Sequence, residues 1–179
     1  MEIQLKQVAE SSICLEIPIQ SDIDSINLWK KRIVTDILLL AYLNKPATLI
    51  TVDPDKNSVG KEYENEEFFY SKKKFLLNCI STCKHTDLIK LGESYDLELG
   101  LLVVTSMTFQ DTHSYDFLSL FPKHEEDYLL IKEQVFYCSN DGYEIYWLNF
   151  KKPFEDALLA IKTRMSFYEV GISVTKFGG

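Results

Sequence analysis

Residues 97–109, LELGLLVVTSMTF, form the longest apolar run in the chain, and its reading decides the fold. Val103, Val104 and Thr105 are β-branched and stiff about χ1, which suits an extended backbone. Gly100 would weaken a helix here, and the run shows no apolar stripe at helical spacing. The stretch therefore reads as a strand at the centre of a sheet, with the remaining chain arranged as its cover.

Working outward, residues 2–8 and 13–17 alternate apolar and polar positions, with Ile3 and Leu5, then Ile13, Leu15 and Ile17, on one side, so they read as an N-terminal hairpin. Pro18 closes the second strand. Ser21 then reads as the cap of a helix with Asp24 three residues on, and Ile23, Ile26, Trp29 or Lys30, Ile33, Ile37, Leu40 and Ala41 as its apolar stripe. Lys30, Lys31, Arg32 and Asp36 fall near its wet side. ATLITV, residues 47–52, is a short β-branched strand. Ser71 reads as the cap of a second helix that carries Phe75, Leu76, Cys79, Ile80 and Cys83 on one face, with Lys72, Lys73 and Lys74 in solvent. Residues 88–91 suggest an edge strand, and residues 111–126 an irregular loop.

Residues 128–138 and 143–150 are two alternating runs joined through Asp141-Gly142, a pair that tolerates positive φ and therefore signals a hairpin. Pro153 precedes a last helix whose core side is Phe154, Ala157, Leu158, Ile161, Met165 and Tyr168, and ISVTKF follows as a final strand. Strands come in runs rather than in regular alternation with helices. The fold class is thus α+β, a single domain of residues 1–179 with a largely antiparallel sheet and about three helices packed against it.

A chain of 179 residues with 46% hydrophobic side chains is long and apolar enough to bury a core. Its 27 acidic against 19 basic residues leave a net charge of −8, a field that repels nucleic-acid phosphates and attracts basic partners. There is no signal-peptide pattern at the start and no apolar run of membrane-spanning length, so a cytoplasmic protein is expected, without membrane or nucleic-acid partners. Cys14, Cys79, Cys83 and Cys138 sit in apolar surroundings and read as buried free thiols.

Phosphate-cradling glycine loops, the GxSxG elbow and the HExxH pair are all absent from the sequence. Cys79, Cys83 and His85 fall short of the four ligands, in closely spaced pairs, that structural zinc wants, and no cofactor or metal is expected. Asp111, His113 and Asp116, with His124 nearby, could place a general base among carboxylates, which leaves open a small hydrolase-like enzyme, metal-assisted or not.

What rises above background is acidity mixed with aromatics. Residues 53–67 carry Asp53, Asp55, Glu62, Glu64, Glu66 and Glu67 against Lys56 and Lys61, a net of −4. Residues 111–127 carry Asp111, Asp116, Glu125, Glu126 and Asp127 against Lys123, again −4. Tyr63, Phe68, Phe69, Tyr70, Tyr115, Phe117 and Phe121 are interleaved with them as possible anchors. Two acidic loops of this composition lead us to expect a protein-binding surface made by Tyr63, Glu64, Glu66, Glu67, Asp111, Tyr115, Asp116, Glu125 and Glu126. In size, charge and lack of catalytic motifs the chain is similar to bacterial immunity proteins, small inhibitors that neutralise basic toxins such as nucleases.

Overall fold

The computed structural model describes residues 1–42, 45, 47–52, 64–70, 73–80, 102–105, 132–139 and 142–178. The first two strands form where the alternation is clearest. β1 (Glu2–Ala9) and β2 (Ser12–Glu16) pair antiparallel and send Ile3, Leu5, Ile13 and Leu15 into the core, each fully buried. The register shifts between Gln7 and Ala9, beside the turn.

The helix that follows runs through three segments: α1 (Ile23–Leu28), a π-helical turn (Trp29–Ile33) and α2 (Val34–Tyr42). Its cap is Asp22 rather than Ser21. The Asp22 carboxylate accepts the Ser25 backbone N–H at 2.8 Å and the Ser25 hydroxyl at 2.7 Å, and Ser25 lies three residues on, where a cap reaches. In the π turn Val34 N–H donates to the carbonyl of Trp29, five residues back, so one extra residue is inserted and the apolar stripe rotates. That rotation resolves the ambiguity between neighbours: Trp29 is buried, while the Lys30 ammonium lies 5.0 Å from the centre of the Tyr143 ring. Ile23, expected on the stripe, precedes the extra residue and is 74% exposed. Asp36, expected on the wet side, instead accepts the Tyr168 hydroxyl at 2.5 Å.

The middle of the chain supplies β3 (Ala47–Val52), β4 (Glu64–Tyr70), β5 (Lys73–Ile80) and β6 (Leu102–Thr105). β6, the heart of the apolar run, pairs antiparallel with β3 on one side and with β7 (Val135–Ser139) on the other, so it is internal to the sheet. The rest of residues 97–109, the expected strand at 88–91 and the expected loop at 111–126 lie outside the described residues. β5 corrects the second expected helix. Phe75, Leu76, Cys79 and Ile80 fit a helical face locally, but β5 pairs antiparallel with β3 and with β4, and ladders on both sides outweigh a weak local preference. The described residues accordingly hold two helical bodies, not three.

β7 and β8 (Glu144–Leu148) form the expected hairpin, with Gly142 at φ 81° in the connection. Residues 128–131 of the expected strand lie outside the described residues, and residues 132–134 precede the ladder, with Gln134 turned toward α2. Its amide nitrogen donates to Ala41 O at 2.9 Å, and its own carbonyl accepts the Tyr42 hydroxyl at 2.8 Å. α3 (Phe154–Ser166) follows Pro153, with Glu155 and Asp156 in its first turn and Arg164 in its last, and β9 (Gly171–Thr175) ends the sequence of elements.

Among the described residues nine strands make one sheet in the order β4-β5-β3-β6-β7-β8-β2-β1-β9. Every pair is antiparallel except β1 with β9, so the fold is a mixed α+β sheet with helices. The pairings make β2 parallel to β3, four strand spacings away, or about 19 Å. The helix of residues 23–42 bridges that distance at about 30 Å long. α3 likewise carries the chain from β8 across β2 and β1 to β9. Both helices share one core with the five strands β7, β8, β2, β1 and β9, in which Phe136, Cys138, Ile145 and Trp147 meet Ile33, Ile37, Ala157, Ile161 and Met165. No helix of the described residues is long and apolar enough to cross a membrane.

α3 stops without the usual glycine. Val170 N–H returns to Met165 O, which requires Glu169 to take a left-handed conformation at φ 55°. A side chain there costs about 1 kcal/mol that glycine avoids. Glu169→Gly should therefore raise the free energy of unfolding in urea by roughly 0.5–1 kcal/mol. No gain would mean that the backbone is unstrained at this position.

Candidate functional site

The acidic segment takes a form that composition did not reveal. Glu64, Glu66 and Glu67 do not lie in a loop, because residues 64–70 are strand β4. Charged residues are poor strand formers, and what holds them extended is the ladder to β5, in the register Glu64 to Cys79, Glu66 to Leu77, Glu67 to Leu76 and Tyr70 to Lys73. Directly opposite the three glutamates stand uncharged positions. Lys73 and Lys74 sit across from Tyr70 and Phe69, at the other end of the hairpin. The hairpin thus keeps its acids and its lysines apart.

β4 is also outermost, with β5 as its neighbour and no strand beyond it among the described residues. An edge strand offers unpaired backbone donors and acceptors to any extended segment that can approach it. Glutamates on such an edge repel other acidic edges and favour basic ones.

The structure brings Glu64, Glu66 and Glu67 onto one strand. The remaining expected contacts, Tyr63, Asp111, Tyr115, Asp116, Glu125 and Glu126, lie outside the described residues, as do His113 and His124. Cys79 falls on β5 rather than on a helix, so the shared helical face on which a Cys79–Cys83 metal pair depended is gone. Cys83 and His85 lie outside the described residues. Among the described residues no cluster of three or more His, Cys, Asp or Glu side chains could hold a metal ion.

The sheet face turned away from the helices carries a second polar group that sequence reasoning did not single out. Lys6 pairs with Glu16 at 2.8 Å across β1 and β2, a contact that raises the lysine pKa. The Tyr146 hydroxyl donates to Glu144 at 3.2 Å, and its ring stacks on Tyr137 at 4.8 Å and 9°. Cys14 lies beside them, yet burial pushes its thiol up to about 12, with the hydrogen bond to Tyr146 opposing only part of that effect. Burial does the same to Cys138, also to about 12. Both thiols are protonated at neutral pH, the wrong state for a nucleophile. Alternating polar residues along β1, β2 and β8 could have pointed to this face, but the pairing of strands from opposite ends of the chain could not be read locally.

The chain matches no family model, no curated protein and no solved structure. Function rests on this geometry alone.

Proposed function

We propose that the protein is a small acidic protein-binding module of the immunity type, which neutralises a basic toxin domain such as a nuclease in the cytoplasm by covering its active site. The observation that carries this reading is the acidic β4: three glutamates on the outermost strand among the described residues, none facing a basic residue in the β4–β5 ladder. The net charge of −8 supports it, since a field of that sign draws a Lys- and Arg-rich surface in and speeds encounter. In this reading Tyr63 and Tyr115 act as aromatic anchors, and Asp111, Asp116, Glu125 and Glu126 extend the acidic surface.

The test is capture of a basic partner from the native host, followed by stopped-flow association across a salt series. The on-rate should fall as salt rises, and the triple variant Glu64→Lys, Glu66→Lys, Glu67→Lys should slow it about 10-fold or more, with little change in the off-rate. Capture of no basic protein, or association indifferent to both salt and the triple variant, sinks the reading.

A further inference from the structure

The outer side of the helical layer holds a shallow groove of about 560 Å³, lined by Leu40 of α2 and by Asp156, Leu159, Ala160, Arg164 and Phe167 on or just beyond α3. Two of these side chains have no reason of their own to face water: Leu159 is 66% exposed and Phe167 75%. The core side of α3 is already supplied by Ala157, Leu158, Ile161 and Met165, all buried. A second apolar stripe on the same helix therefore lies unused by the fold.

Charge says what would fit it. Asp156 and Arg164 stand at the two ends of the stripe, eight residues and about 12 Å apart along the axis, and neither makes an ion pair among the described residues. Ala160, the residue midway between them, is small enough for a close helix approach. The helix dipole accounts for an acid at the first turn and a base at the last. It does not account for exposed Leu159 between them, nor for exposed Phe167 just past Arg164 at the helix end. A purely basic occupant would meet Arg164 and a purely acidic one Asp156, each at a cost from like charge. An occupant that presents the same pattern reversed satisfies both ends, and this stripe turned through a half-rotation is such an occupant.

We propose that this face is the contact with a second copy of the chain, with α3 packed antiparallel to its counterpart about a two-fold axis near Ala160. Asp156 of each copy then faces the Arg164 end of the other, and Leu159 and Phe167 are withdrawn from water on both sides. A contact built on one 13-residue helix is small, so association is a concentration-dependent equilibrium rather than a permanent dimer. The proposal is independent of the binding role given to β4. α3 packs beside β9, and β9 and β4 stand at opposite ends of the strand order.

Sedimentation equilibrium over a concentration series tests it on the intact chain, with circular dichroism to confirm folding. The mass should rise toward twice that of the monomer. Leu159→Glu should weaken association at least about 10-fold, as should Asp156→Arg or Arg164→Asp alone, since each of the last two sets like charges against each other. An equimolar mixture of the Asp156→Arg and Arg164→Asp chains, in which every pair across the contact is again of opposite sign, should restore it. A monomer at every concentration overturns the proposal and leaves the groove to a different protein. A dimer indifferent to Leu159→Glu overturns it in favour of another surface, such as the β4 edge. Failure of the mixture to recover also overturns it.

Discussion

Replacing Trp29 with alanine should remove about 3–5 kcal/mol from the stability of the fold, on the order of half of what a domain of this size has in total. The indole fills the middle of the helix-to-sheet contact with no exposed surface, and its Nε1–H donates to the Gly142 carbonyl at 2.6 Å. Alanine leaves a cavity and takes away the partner of a buried carbonyl at once. Trp29→Phe separates the two effects, since it keeps most of the volume and loses only the donor, so it should cost about 1–3 kcal/mol. Urea unfolding followed by circular dichroism gives both values. If alanine costs no more than phenylalanine, the space around Trp29 collapses on truncation and the π turn does not fix the helix in place.

The second large effect is alkaline. Cys14 and Cys138 ionise near pH 9 in an unfolded chain but are pushed up to about 12 in the fold, in both cases chiefly by burial. A thiol that resists ionisation when folded contributes its full stability below pH 9, and loses it as the pH climbs from 9 toward 12, because only the unfolded chain gains by releasing the proton. At pH 10 each thiol then costs on the order of 1 kcal/mol relative to neutrality, and the two together about twice that. Unfolding in urea at pH 7 and pH 10 under reducing conditions measures it. The comparison is with the Cys14→Ala, Cys138→Ala double variant, in which the thiol contribution is gone while other titrating groups remain. An equal loss in both proteins would show that the thiols titrate normally. Tyr168, whose hydroxyl is pushed up to about 12 by burial and by the carboxylate of Asp36, acts in the same direction above pH 10.

These effects sit in parts of the fold that local pattern makes legible. β1, β2, β7, β8, β9 and both helical bodies follow from period-2 or helical spacing, because each packs one face on a common core and polarity records that face, while β3 follows from its β-branched run alone. β5 was not legible, since the order of apolar residues in KKFLLNCI satisfies either period and is settled only by two neighbouring strands. The cap was misplaced by one residue because Ser21 and Asp22 are both good cap formers, and the choice depends on which side chain reaches the N–H of Ser25. At the candidate site, composition disclosed that Glu64, Glu66 and Glu67 are concentrated together but not that they lie on the outermost strand among the described residues, because that is a property of strand order. The groove beside α3 was likewise hidden: Leu159 and Phe167 look like scatter around a good amphipathic stripe until the helix is seated.

The pairing of β1 with β9 joins residues 2–6 to residues 171–175, in parallel and in register. Until β9 is in place, Ile3 and Leu5 belong to a strand with one open side, and the crossover of α3 has nothing to dock its far end against. β1 and β9 therefore depend on each other for completion. During synthesis, β1 leaves the ribosome well before β9 and waits unfinished for it, a long exposure for an open strand side and a slow, high-separation contact to close.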